Sequence, residues 1–279
     1  MIRPAFAALL SLGMLVASVP ALAGEDRALR QAVASPERNA ENVARDGARH
    51  PYETLAFWGV KPRTTVIELT PGSGYWTEIL AVYAKVTKGK YIAGLTDLAN
   101  PKVTEPGRKA RATFEAKYAD AAKFGKIGSV DFGSQSAPLG APGTADMVIT
   151  ARNIHNWLWQ PPMFDKVLTD AFAVLKPGGI LAIEEHRSDP RAQIGDARDG
   201  YVATSTVVAA AQKAGFVLAA SLDINANPKD TKDHPFGVWT LPPNRRTMAG
   251  NGNDPSFDRT KYDAIGESDR MTLRFRKPR

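Results

Sequence analysis

Val66-Ile67-Glu68-Leu69-Thr70-Pro71-Gly72-Ser73-Gly74-Tyr75-Trp76-Thr77 decides how this chain is read. A short apolar run ends in an acid, turns through Gly-x-Gly and enters an amphipathic segment, Tyr75 to Lys85. That order predicts a strand, a tight turn and a helix start, the unit with which parallel α/β sheets hold an adenosine-bearing cofactor. Gly72 and Gly74 let the backbone approach a ligand where a Cβ would intrude. The first turn of the helix offers free N–H groups to a carboxylate or phosphate. Glu68, at the strand end, can accept from an amine or hydroxyl.

Downstream segments repeat the pattern. Strands are expected at Tyr91–Leu95, Ile127–Phe132, Ala145–Thr150, Ile180–Glu184, Phe216–Asp223 and Met271–Phe275. Helices are expected over 107–124, 163–175 and 199–214, the second stopped by Lys176-Pro177-Gly178-Gly179. Strands alternating with helices argue for a parallel sheet covered on both faces. Ahead of the first strand, 28–49 reads as one or two helices with Ser35-Pro36-Glu37 as a start signal, and 52–58 as another short helix. Residues 24–62 therefore form a helical cap on an α/β domain spanning 63–279. Asn225 to Glu267 is rich in Pro, Asn, Asp and Gly and too long for a compact connection. It is either a cover over a ligand or a surface excursion.

The amino terminus reads as an export signal. Arg3 precedes an apolar run, Ala5 to Val19, then Pro20 and the small-x-small site Ala21-Leu22-Ala23. The run falls short of the roughly 20 residues of a membrane span. Cleavage after Ala23 predicts a periplasmic or secreted protein without a membrane span. There is no cysteine, which excludes zinc-thiolate sites, iron–sulfur clusters and thiol nucleophiles. The formal charge of +7 is scattered and fits a solvated basic surface; nothing resembles a nucleic-acid module. A small-molecule partner is expected.

Taken together, several segments resemble the class I S-adenosylmethionine-dependent methyltransferases, and within them a group of exported bacterial methyltransferases. They are Arg45-Asp46 with Arg49-His50-Pro51, Glu68 to Gly74, Asn153 to Trp157, Leu175 to Gly179, Glu185-His186-Arg187, and Asp269-Arg270 with Leu273 to Pro278. The resemblance implies a Rossmann-like, seven-stranded, mostly parallel sheet with the last strand antiparallel. It implies S-adenosylmethionine across the carboxyl ends of the first strands, near Glu68, Thr70, Gly72, Gly74 and Asn153. It also implies Asp131 at the adenine amine and an acid for the ribose hydroxyls. Thr96 occupies that acid's place, with Asp97 one step along. Thr70 stands where the class usually carries glycine.

His155 and His186 follow the fourth and fifth strands and are the candidate general bases for a hydroxyl or amine acceptor. His155, Glu185 and His186 match no standard metal-ligand spacing, so no metal is expected. Methyl transfer to a small molecule is the expected activity. The alternative is an exported, non-catalytic ligand-binding protein on the same fold. A nicotinamide-dependent oxidoreductase is disfavoured because Thr77 stands where the third glycine of Gly-x-Gly-x-x-Gly would fall, and no Tyr-x-x-x-Lys pair lies in the expected region.

Overall fold

A computed structural model describes residues 25–160, 162–250 and 252–279. The proposed export signal, residues 1–23, lies outside them. The strands are β1 (Thr65–Leu69), β2 (Lys90–Thr96), β3 (Gly128–Phe132), β4 (Ala145–Ala151), β5 (Leu175–His186), β6 (Val217–Leu222) and β7 (Arg270–Arg276). Among the described residues they form one seven-stranded sheet in the order β3-β2-β1-β4-β5-β7-β6. Neighbours from β3 to β5 pair in parallel, whereas β7 runs antiparallel to both β5 and β6. This is the class I methyltransferase fold.

Alternation along each strand sends side chains to two cores, as the period of 2 requires. Ile67, Leu69, Val148, Leu181 and Ile183 enter one core; Val66, Met147, Ile149 and Ala182 enter the other. The first core is closed by helices α9 (Met163–Val174) and α10 (Thr204–Lys213), which follow α8 (Ile154–Leu158). The second lies under α1 (Arg27–Val33), α4 (Pro51–Trp58), α5 (Tyr75–Thr87) and α6 (Glu105–Lys117). Short helices α2 (Ala40–Val43), α3 (Asp46–Arg49), α7 (Ala121–Phe124) and α11 (Thr260–Ile265) complete the set. Among the described residues no helix is long and apolar enough to cross a membrane.

Boundaries differ from the sequence expectations for local reasons. The Ser35 hydroxyl accepts the Glu37 N–H in a turn instead of starting a helix, and helix resumes only at Ala40, capped by Asn39. The helix expected over 107–124 begins at Glu105, where the Thr104 hydroxyl accepts from Gly107, and breaks before Asp120 caps α7. α9 stops at Val174 because Leu175 is already extended and pairs with Ala145; residues 176–179 form an irregularity inside β5. α10 starts five residues later than expected because Gly200 turns at φ +84° and Val202 pairs with Arg187.

Segment 225–267 packs against the domain instead of looping away from it. Asn225, Asp230, His234, Val238, Thr240 and Leu241 are buried. Asp230 accepts from the Tyr201 hydroxyl at 3.0 Å and the Asp269 N–H at 2.8 Å, and pairs with His234 Nε2 at 2.8 Å. Lys232 and Arg187 both reach Asp269, tying the segment to β5 and β7.

Candidate active site

The turn after β1 is built from left-handed residues: Thr70 at φ +51°, Gly72 at +59° and Gly74 at +90°. A β-branched residue in this region is strained, which explains in backbone terms why glycine suits position 70. Thr70 is held there by its N–H to the Gly94 carbonyl at 3.0 Å and by Asn153, whose Nδ2 donates to the Thr70 carbonyl at 3.3 Å. The two glycines differ in use. A Cβ on Gly72 would meet nothing within 4 Å, so this residue opens a cradle. A Cβ on Gly74 would fall 1.8 Å from the Tyr118 hydroxyl, so its bareness serves packing against α6.

Two cavities meet at Thr70, Pro71 and Gly72, on the carboxyl edge of the sheet where the order turns from β1 to β4. Ligands of open α/β sheets bind at such a switch point. The larger lobe, about 230 Å³, is walled by Glu68, Tyr75, Arg152, His155, His186 and Trp239, among others. The smaller, about 120 Å³, runs over β2 and β3 between Leu95, Thr96, Ala110, Arg111, Phe114 and Phe132. Together they reach the lower end of the roughly 300–1,000 Å³ usual for small-molecule sites.

Electrostatics are concentrated in the larger lobe. Burial raises the Glu68 carboxyl to about 7, against the lowering effect of hydrogen bonds from Tyr91 and Thr77 and of the Arg152 charge. Both bonds end on Oε2, and Oε1 accepts none from the described residues. Alternation along β5 splits two adjacent acids. Glu184 faces the amino-terminal helices and pairs with Arg270 at 2.9 Å. Glu185 faces α8, where its Oε2 accepts the Ile154 N–H at 2.6 Å and its Oε1 meets His155 Nδ1 at 3.0 Å. Glu185 thus caps α8 and orients the imidazole of His155 in one contact set. His186 lies with its ring 5.4 Å from that of His155, its Nδ1 on the Ser268 hydroxyl at 2.6 Å. Burial, then the nearby charges of His155, Arg152 and Arg270, push the His186 pKa well below that of free histidine.

Of the residues expected from sequence, Glu68, Thr70, Gly72, Asn153, His155 and His186 line the larger lobe. Gly74, Asp97 and Asp131 line neither. Asp97 turns back to accept the Ala99 N–H at 2.9 Å. Asp131 sits on the outer strand, paired with Arg111, and it is Arg111 that faces the cavity. His155, Glu185 and His186 bring one ligand atom each within 4.8 Å of one another. The Glu185 oxygens meet the Ile154, His155 and His186 N–H groups and the His155 ring. Trp157 packs on Phe132 in the core at a centroid distance of 5.7 Å and does not reach the cleft. Sequence reading missed Trp239 and Asn244, which arrive from segment 225–267, and the Arg270–Glu184 pair. The signals for that pair were Glu184 at the end of an otherwise apolar strand and Arg270 immediately ahead of the last one.

No sequence-family profile matches the chain, and no curated protein does. Solved structures do match in shape. A proposed sarcosine dimethylglycine methyltransferase of Galdieria sulphuraria is 12% identical with a TM-score of 0.51, over 86% of this chain and 88% of the other. The (4+2) cyclase SpnF is 14% identical with a TM-score of 0.51, over 83% and 80%. An S-adenosylmethionine-dependent methyltransferase of Aquifex aeolicus is 20% identical with a TM-score of 0.48, over 65% and 87%. At such identities the likeness is one of fold, and a cyclase beside a methyltransferase at equal score shows why activity must be argued from the site.

Proposed function

We propose that the chain is an S-adenosylmethionine-dependent methyltransferase acting on a small-molecule acceptor. The observation that carries this reading is the two-lobed cleft hinged on Thr70, Pro71 and Gly72 at the switch point of the sheet. One lobe is apolar, suited to a nucleoside; the other is polar, suited to an amino-acid end and an acceptor. Two features fit the cofactor: the open space over Gly72 and the unclaimed Oε1 of Glu68. Bound there, S-adenosylmethionine supplies a methyl group on a sulfonium, ready for in-line displacement.

The chain's own residues orient, exclude water and move a proton. His155 Nδ1 is engaged by Glu185, which leaves Nε2 to take the proton from a hydroxyl or amine acceptor. His186, kept neutral by its surroundings, offers a hydrogen bond without adding charge beside the base. Trp239 and the segment that carries it cover the lobe. Titration calorimetry with S-adenosylmethionine, S-adenosylhomocysteine and NAD tests the reading. The expected result is binding of the first two, lost in a folded Gly72→Val variant. Binding of NAD alone, or undiminished affinity in that variant, refutes it.

We also infer export to the periplasm or beyond, from Arg3, the apolar run and Ala21-Leu22-Ala23. The chain recovered from its host should begin at Gly24; a full-length soluble form would overturn this.

A further inference from the structure

We propose that Arg152 is an anion-docking residue, and that the cleft takes a ligand whose carboxylate or phosphate seats on its guanidinium. The proposal rests on the methyl-transfer reading of the same cleft and names the chemistry of what fills its larger lobe.

Charges crowd where the carboxyl end of β5 meets the start of β7. Arg45, Arg49 and Arg270 share two carboxylates. Glu267 takes Arg45 at 2.8 Å, Arg49 at 2.9 Å and Arg270, while Glu184 takes Arg270 at 2.9 Å. Glu267 is thereby committed, whereas Glu184 has only Arg270 within ion-pair distance and accepts no hydrogen bond among the described residues. Asp46, the next acid on that side, is held by Arg38 at 2.6 Å and by the Tyr75 hydroxyl at 2.7 Å. Arg152, just past β4, has no such carboxylate. Among the described residues its guanidinium makes no hydrogen bond and no ion pair, and its Nε is sealed from solvent without a partner. Its backbone is left-handed at φ +59°, a conformation costly for an arginine and fixed by its N–H to the Glu184 carbonyl at 2.8 Å. The turn thereby sets the side chain on the wall of the larger lobe, between Ala151 and Asn153.

Burial, with Arg270 and Arg45 nearby, holds the Arg152 pKa below that of free arginine, outweighing the attraction of Glu184 and Glu267. Arg152 is half-buried, and an unpaired charge there costs more than one in open water. Glu68, on the same lobe, is too close to neutral to repay that cost in full. A ligand oxyanion would, and the planar fork of arginine matches a carboxylate or phosphate in geometry as well as charge.

The anion has two possible sources: the amino-acid carboxylate of the cofactor, or an acidic acceptor. Calorimetry on the purified chain and its Arg152→Met variant separates them. S-adenosylhomocysteine carries the carboxylate; 5′-methylthioadenosine has the same nucleoside thioether without it. If the cofactor is the source, Arg152→Met weakens S-adenosylhomocysteine by about 10–100-fold, the scale of one charge-assisted pair, and leaves 5′-methylthioadenosine unchanged. If the acceptor is the source, both nucleosides bind the variant normally. Acetate or inorganic phosphate then binds the wild-type S-adenosylhomocysteine complex and not that of Arg152→Met. Equal behaviour of the two proteins toward all four probes overturns the proposal. Failure of both nucleosides to bind wild type would sink the methyl-transfer reading instead. The anion arm, run as thermal stabilisation of the bare chain by phosphate or acetate, still decides Arg152. Should Arg152→Met not fold, Arg152→Lys keeps the charge and removes the fork, and the same comparisons apply with a smaller loss.

Discussion

The two lobes of the cleft share a lip but are made of different material. The lobe over β2 and β3 is apolar, between Leu95, Phe114 and Phe132, and its charged groups pair outward: Arg111 reaches Glu115 at 2.8 Å and Asp131, both largely exposed. The lobe over β4 and β5 carries Glu68 and Arg152 on its wall, with Glu185 behind His155 and the almost wholly buried Arg270–Glu184 pair outside its lining. One half binds by shape; the other concentrates field. The same fold can therefore keep a nucleoside-sized slot and change its chemistry by altering one edge.

The comparison is broken most severely at the buried pair. Arg270→Met strands Glu184 and takes one of three cations from Glu267, and should cost about 3–5 kcal/mol in denaturant unfolding. Arg111→Met, in the other lobe, should cost under about 1 kcal/mol because its partners face solvent. Similar losses for both would erase the distinction between the lobes.

Catalysis gives the next test. With a hydroxyl or amine acceptor that supports turnover, His155→Ala should lower kcat by about 10²–10⁴-fold while S-adenosylhomocysteine affinity stays nearly constant. Glu185→Gln should shift the pH–rate profile, since Glu185 holds the His155 tautomer; an unmoved profile would make that contact structural only.

Glu68 sharpens the contrast through pH. Its folded pKa, raised by burial to about 7, lies above that of the unfolded chain, so the folded state retains a proton the unfolded state gives up. Stability from this group is full at low pH and is lost as pH climbs from the ordinary carboxyl range through 7. Unfolding of wild type and Glu68→Gln should match best at about pH 4 and below and diverge by pH 8, the glutamine form gaining on the order of 3 kcal/mol. A constant gap would mean that Glu68 is ionised throughout.

The smallest effect is expected at Asp131. Asp131→Asn should change stability by less than about 0.5 kcal/mol and leave nucleoside affinity alone, because the carboxylate is on the surface with Arg111. A large loss of affinity would show that the pair opens when the slot is filled.

Much of the architecture was legible because the local signals agreed. Strand β1, its glycine turn and α5 follow from one stretch of residues, and the other strands were placed to within a few positions, β5 at its entry apart. The boundaries that moved did so where a side chain captured a backbone N–H, as Ser35 does for Glu37, or where a left-handed glycine such as Gly200 broke a periodic run. Site residues divided along the same line. Those on the turn itself, Glu68, Thr70 and Gly72, reach the cleft because their place is set within a few residues of the strand end. Asp97 and Asp131 were placed by analogy with strand ends, and their side chains found nearer partners in Ala99 and Arg111.

By itself, then, the sequence determined the alternation of strands and helices, the turn and the edge of the sheet on which a ligand would lie, because these depend on neighbours close along the chain. Only the tertiary structure decided that Gly74 makes room for Tyr118, that Trp239 lines the larger lobe, and that Glu184 and Glu185 serve opposite faces. It alone left Arg152 without a counter-ion among the described residues. Each of these joins residues distant in sequence, and charge pairing across such distances is settled by which side chains arrive first at the same buried point.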